Sequence, residues 1–322
     1  MQVKFVNYQK DYLKYKEDYD AAWESVNMRG DLILRKDVDE FEQRLADYVG
    51  TKYAIALSSG TDALLIALKS FGVKDISVAV PSHTFKSTCG AVLSARGVPV
   101  IYDMGKTGKE ETYIVAHIAG ELYDIPTGRR VIEDACQAIG AVKNPKTYAQ
   151  CWSFYPAKIL GCKGDAGAIT TNNIGLYNYA KEYRNHFKGG NELFGGNHRM
   201  DNLQAALLNV KIQHLDEILA RRKEIAEEYL ERLQGVELPN NQSGRVWQDF
   251  IVRTLKRDEL YEYLKEHGIE TMKNEYPFTP KYPKLSVAAR YEAETLRIPC
   301  NEHLTEEEVD YVIEVINRFA FL

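Results

Sequence analysis

Tyr53-Ala54-Ile55-Ala56-Leu57, then Ser58-Ser59-Gly60-Thr61-Asp62, then a helical pattern from Ala63 to Phe71, is the stretch on which the fold turns. The order is a short apolar strand, a turn of small polar residues and a helix. A helix that opens in this way leaves its first backbone N–H groups free, and with the helix dipole they form a site for an anion such as a phosphate. The same residues also suit an ordinary N-cap. Neither GxGxxG nor GxxxxGK[ST] occurs, so a dinucleotide-binding fold and a P-loop lose their main support.

Outward from this unit, short apolar runs alternate with helical patterns. Upstream, Asp39 to Val49 carries Phe41, Leu45 and Val49 at helical spacing and closes on Gly50. Downstream come runs at Ile76 to Val80, Val98 to Tyr102, Tyr113 to Ala116, Arg130 to Ile132 and Ala166 to Thr170, with a helix from about Ser87 to Ala95. The alternation predicts an α/β fold, a three-layer α/β/α domain around a mostly parallel sheet. Arg199 to about Leu233 reads as one or two long helices leading away from that sheet. Beyond Val236 a strand (Trp247 to Arg253), a helix (Asp258 to Glu266), a Pro-rich loop (Tyr276 to Pro283) and a capped helix (Thr305 to Phe319) predict a smaller α+β domain. The expected organisation is an N-terminal segment at 1–30 packing with the small domain, a large domain at 31–210, a connecting helix at 211–235 and the small domain at 236–322.

With 322 residues, 45% of them apolar, the chain can bury a large core, and a net charge of -5 gives no general attraction to nucleic acid or anionic membrane. No run approaches the roughly 20 apolar residues of a membrane helix, and the N-terminus lacks a signal-peptide pattern, so a cytoplasmic protein is expected. Five cysteines without a CxxC pair predict reduced structural thiols. No His pair stands at ligand spacing with a carboxylate or Cys partner, so no metal is expected.

Three further stretches carry possible chemistry. Val131-Ile132-Glu133-Asp134 is an apolar strand ending in acids, and a carboxylate at the C-terminal end of a parallel strand lies where ligands bind; Asp134 also suits a helix cap. Ser153-Phe154-Tyr155-Pro156-Ala157-Lys158, followed by Gly161 and Gly164-Asp165-Ala166-Gly167, sets one lysine among aromatics and glycines. A less polar site lowers a lysine's pKa and frees its amine for imine formation, although a surface lysine is the ordinary alternative. Arg184-Asn185-His186-Phe187-Lys188 and Gly195-Gly196-Asn197-His198-Arg199 form a basic cluster suited to a diphosphate or carboxylate, or simply to a solvated face.

Taken together, SSGTDAL, PSHTF, IEDACQAIG, SFYPAKILGCKGDAGAI, GGNHRMDNLQAAL and the closing LTEEEVDYVIEVI resemble the DegT/DnrJ/EryC1/StrS family of pyridoxal-phosphate-dependent sugar aminotransferases. The resemblance implies the aspartate aminotransferase fold, pyridoxal-phosphate fold type I. It implies Lys158 as the Schiff-base lysine and Asp134 as partner of the pyridine nitrogen. Gly60, Thr61 and Ser153 would hold the phosphate, Phe85 would stack on the ring and Gln137 would lie near its hydroxyl. Asn197 matches the residue lent to the neighbouring subunit's phosphate, which implies a homodimer with shared active sites. His186, Lys188 and Arg199 are the candidate substrate-binding residues. The implied reaction moves an amino group from L-glutamate to a nucleotide-linked 3-keto or 4-keto sugar.

The chain departs from the family in its short loops between Asp103 and Tyr113 and between Tyr123 and Val131. Ala119 stands where relatives carry an aromatic residue, and Glu275-Tyr276-Pro277 replaces their HYP. The alternatives are a dehydratase or an amino-acid transaminase of the same fold, or a catalytically idle cofactor-binding protein. Dehydratase relatives characteristically replace the lysine with histidine, so Lys158 counts against the first.

Overall fold

The computed structural model describes the chain except for residues 104, 105, 107, 190–193, 274–285 and 321–322. The Glu275-Tyr276-Pro277 departure and the Pro-rich loop lie outside the described residues.

Helices α1 (Tyr8–Lys14), α2 (Lys16–Arg29) and α3 (Lys36–Val49) precede the first strand. Val38, Phe41, Leu45 and Val49 lie on one face of α3 and are fully buried. Gly50, in the left-handed region at φ 82°, ends the helix. A seven-stranded sheet follows, from β1 (Tyr53–Leu57), β2 (Ser77–Pro81), β3 (Val98–Tyr102), β4 (Thr112–Ala116), β5 (Arg130–Asp134), β6 (Ala149–Ser153) and β7 (Gly167–Thr171), in the order β1-β7-β6-β5-β4-β2-β3. The pairs from β3 to β6 are parallel, and β7 runs antiparallel to both its neighbours. The expected mostly parallel sheet is present.

Alternation of side chains along each strand feeds two cores. On one face Ile55, Leu57, Ile114, Ile132 and Ile169 pack under α4 (Gly60–Ser70), α5 (Lys86–Ser94) and α6 (Ile174–Tyr183). On the other, Ala54, Ala56, Trp152 and Ala168 meet α3 and α7 (Asn202–Lys211). These are the three layers. Truncating a residue as buried as Phe41 would cost about 3–5 kcal/mol.

After α7 and a single 3-10 turn, α8 (Leu215–Arg232) leads to a second sheet. It consists of β8 (Phe250–Arg253), β9 (Met272–Lys273) and β10 (Thr295–Ile298) in the antiparallel order β8-β10-β9, with α9 (Arg257–Glu266), α10 (Ser286–Glu294) and α11 (Glu306–Phe319). The core beneath it takes Ile225 and Tyr229 from α8, Leu260 and Leu264 from α9, and Val312 and Ile316 from α11. Val3 joins this core and bridges to Ile269, so the extreme N-terminus packs with the small sheet. Helix α2 turns the other way, and Tyr19 packs with Leu207 of α7. No helix among the described residues is long and apolar enough to cross a membrane.

The segments that flank the shortened loops are held by residues beyond α8. The Gln242 amide bonds both the N–H and the carbonyl of Leu122, at 2.9 Å each. Gly120, at φ 80°, lies so close to the Val246 backbone that a Cβ would collide with it. Asp103 accepts from the first free amides of α10, Val287 N at 3.2 Å and Ala288 N at 3.0 Å.

Candidate active site

Because β1 and β6 run alike on either side of the antiparallel β7, Leu57, Gly167 and Ser153 stand in a row on one sheet edge. Helix α4 starts directly over this row. Ser59 is its N-cap, with Oγ accepting from Asp62 N at 3.1 Å, which leaves the amides of Gly60 and Thr61 free at the first turn. The cap and the anion site therefore coexist. Close packing fixes the position: a Cβ on Gly60 would lie 2.8 Å from both Cys136 Sγ and Ser153 Cβ. One on Gly167 would lie 2.5 Å from Gly60 N and nearer still to the Ser59 carbonyl.

Asp134, the last residue of β5, sits on the same edge and is only 7% exposed. No helix follows it, so it caps none. Thr88 Oγ1 donates to its Oδ2 at 2.7 Å, Cys136 N reaches Oδ1 at 3.3 Å, and Thr84 lies 2.8 Å behind Thr88. These donors are neutral, so none of them brings a positive charge to the carboxylate. The Cys136 side chain is within electrostatic reach of both Asp134 and Lys158. Burial pushes its thiol up, Asp134 adds to the shift, and Lys158 opposes it.

Lys158 occupies a tight loop closed by Phe154 N to Ala166 O and Cys162 N to Phe154 O, each 2.8 Å. The buried Phe154 ring anchors the loop edge-on against Phe41 at 5.2 Å. Phe85 is exposed at the start of α5, beyond the Thr84–Thr88 pair. Just before it, burial pushes the His83 imidazole down to about 3, so the ring is neutral at pH 7. Gln137 Oε1 accepts from Ala119 N at 2.7 Å, across the site's rim.

Asn197 is exposed and bridges Asn185, while Arg199 bridges Leu57 and donates to Asn185 Oδ1 at 2.9 Å. His198 ties this segment to α4: Ser58 N donates to its carbonyl at 3.0 Å, and its Nδ1 is 3.0 Å from Asp62. The basic cluster thus flanks the helix N-terminus, but not as a unit. Arg184 is buried against Glu42 and the Ala56 carbonyl, a structural pairing, whereas His186 and Lys188 are exposed.

Thr84 and Thr88 were not singled out in the sequence, although Thr88 stands one helical turn beyond the TF of PSHTF. Asp11, Glu302 and His303 converge closely enough to suggest a metal. Lys163, Lys211 and Arg222 already pair with the two carboxylates, so their charge is satisfied.

A pyridoxal phosphate fits these residues. Free amides at an eleven-residue helix face a serine, a buried carboxylate stands on the same edge, an aromatic ring is exposed beside it, and a lysine loop closes the arrangement. Residues 14–317 match the model of the DegT/DnrJ/EryC1/StrS aminotransferase family. The dTDP-3-amino-3,6-dideoxy-alpha-D-galactopyranose transaminase of Aneurinibacillus thermoaerophilus is 32% identical, over 99% of this chain and 100% of its own. That alignment runs to 364 positions against 322 residues here, so the relative carries segments this chain lacks. The crystal structure of S. venezuelae DesV in complex with a ketimine intermediate superposes with a TM-score of 0.92 at 30% identity, over 99% of this chain and 98% of that one. A DegT DnrJ EryC1 StrS aminotransferase from Brucella abortus gives 0.92 at 29% identity, over 99% and 100%. The chain belongs to the DegT/DnrJ/EryC1/StrS aminotransferase family.

Proposed function

We propose that this protein is a pyridoxal-phosphate-dependent aminotransferase that transfers an amino group from L-glutamate to a nucleotide-linked keto-sugar. The observation that carries the reading is the meeting of Asp134, Ser153 and the N-terminus of α4 on one edge of the sheet, with Lys158 in the loop that follows Ser153. The names of relatives support the substrate class: the Aneurinibacillus enzyme and a Streptomyces venezuelae relative at 30% identity are both dTDP-amino-sugar transaminases. The solved structure of ntda from Bacillus subtilis, 26% identical, has bound cofactor pmp, which supports the cofactor class.

When bound, the cofactor supplies an electron sink for charge developing at the carbon beside the transferred nitrogen. Gly60 and Thr61 offer amides, and Ser153 a hydroxyl, to a phosphate dianion. Asp134, held by Thr88, would keep a proton on the ring nitrogen, and Phe85 would stack on the ring. Gln137 belongs near the ring hydroxyl. Lys158 would hold the cofactor through its amine and, with that amine free, would take and return the proton at the reacting carbon. His186, Lys188 and Arg199 are assigned to the substrate's anionic groups.

A homodimer belongs to the same reading, with Asn197 reaching the partner's phosphate. Its exposure supports this, as do the exposed aromatic rings of Tyr8, Trp23 and Tyr155 beside the lysine loop. Residues 31–210 and 236–322 serve as cofactor-binding and small domains, with 1–30 and 211–235 joining them. Five cysteines that form no disulfide suit a reducing compartment, the cytoplasm.

The test is the visible spectrum of the protein with pyridoxal phosphate, before and after L-glutamate. Yellow absorbance that bleaches with glutamate is expected in the parent and absent in Lys158→Ala, with fold retained by circular dichroism. A Lys158→Ala protein that transaminates at the parental rate overturns the assignment.

A further inference from the structure

Lys158 lies on the large domain, yet the peptides on both sides of it are held by one side chain from the small domain. Gln248, two residues before β8, accepts from Ile159 N at 3.0 Å through Oε1 and donates to the Ala157 carbonyl at 3.1 Å through Nε2. The amide orientation is dictated by its partners, since only the oxygen can accept from an N–H and only the nitrogen can donate to a carbonyl. Gln248 is 7% exposed, so water does not readily replace either bond.

Gln248 is itself held. Arg222, buried on α8, donates from Nη1 to the carbonyls of Trp247 and Gln248 at 3.2 Å each, and its other nitrogens grip Glu302 at 2.7 and 2.8 Å. A chain of bonds therefore runs from the small domain through Arg222 and Gln248 to the two peptide planes that set the Cα–Cβ direction of Lys158. Phe154 and Cys162 close the loop at its base, and of the two peptides beside Lys158 only the preceding one has a further bond among the described residues, Lys158 N to Tyr155 O at 2.8 Å.

We infer that Gln248 is a positioning residue that aims the Lys158 amine, making the small domain part of the lysine's mounting. The inference rests on Lys158 being the cofactor-bearing lysine. Releasing both peptides lets the amine wander, and a misplacement of about 1 Å costs on the order of 100-fold in rate.

The test compares parent, Gln248→Leu, Gln248→Glu, Lys158→Ala and Gln242→Leu. Gln242→Leu is the structural control, because it removes two interdomain hydrogen bonds that do not touch the lysine loop. Three quantities are read: melting temperature without cofactor, the rate at which yellow absorbance appears with pyridoxal phosphate, and the pH midpoint of that absorbance. Gln248→Leu should slow the appearance by about 10- to 100-fold and move the pH midpoint. Gln248→Glu, which keeps the bond from Ile159 N and loses the donor to Ala157, should fall between. Gln242→Leu should lower the melting temperature and leave rate and midpoint at parental values. Parental rate and midpoint in Gln248→Leu overturn the inference while leaving Lys158 in its role. If Gln248→Leu does not fold, parental values in Gln248→Glu overturn it equally. A parent that never turns yellow removes the Lys158 assignment and this inference with it.

Discussion

Replacing Gly167 with alanine probes the phosphate cradle without replacing any residue assigned to the cofactor. The glycine sits between Leu57 and Ser153, and its new methyl group would stand 2.5 Å from Gly60 N, where ordinary contact begins near 3.4 Å. The atoms it meets are backbone, which cannot swing aside, so the first turn of α4 must retreat by about 1 Å or the strand must bend. Overpacking of this kind costs about 1–3 kcal/mol, and as 1.4 kcal/mol is tenfold in an equilibrium constant, a loss falling wholly on the cradle weakens binding by about 5- to 150-fold. The assay is titration of the cofactor-free protein with pyridoxal phosphate and, separately, with pyridoxal, which lacks the phosphate. Gly167→Ala should bind pyridoxal phosphate much more weakly and pyridoxal almost as the parent does, so that the preference between them collapses. Equal weakening toward both ligands, or none toward either, refutes the placement of the phosphate at the start of α4.

Thr88→Val removes the 2.7 Å donor to Asp134; hydrogen bonds to charged groups are worth about 1.5–3 kcal/mol, so kcat should fall by about 10- to 150-fold, with Thr88→Ser restoring most of it. A valine variant with parental kcat would detach Asp134 from the chemistry. Asn197→Ala should lose cofactor on dialysis faster than the parent with its melting temperature unchanged when cofactor-free; equal retention removes the cross-subunit assignment. Asp11 is pulled well below the usual carboxylate range by His303, Lys211 and Lys163, against the opposing effect of burial. Its stabilisation is therefore complete above the unfolded pKa of about 4 and is lost as pH falls from there toward the folded value. Melting temperature against pH should accordingly be flatter below pH 4 in Asp11→Asn, and lower at neutral pH because Lys163 and Lys211 lose a buried partner. Parallel curves would show that Asp11 carries no such linkage.

Much of the sheet was legible because most of its strands are apolar runs between helical patterns. β1 and β3 fall at the expected residues, and β2, β4 and β7 within one. β6 escaped notice for a physical reason. Its inward-facing Gln150 looks polar in sequence, but in the fold it bonds Glu133 and Thr147 with its nitrogen and receives Thr170 with its oxygen. α10 was missed as well, and so were β9 and β10, since strands of two and four residues have little room for alternation. At the site, Lys158, Asp134 and the SSGT turn were visible as local patterns. Gln248 was not, because a clamp built from ninety residues away leaves no periodic trace. Arg184 shows the converse, a residue that reads as a ligand-binding cation and is in fact neutralised inside the core.

The bonds that join Gln248 to the lysine loop, Gln242 to Leu122 and Asp103 to α10 all cross between the two sheets' territories. Their consequence is cooperativity. A small domain tied at three separate places cannot melt while its neighbour stays folded without stranding buried polar groups, so the two lose structure together. Ligand binding on the large sheet then raises the melting point of the small one too, although the phosphate cradle is built from the large sheet and its helices.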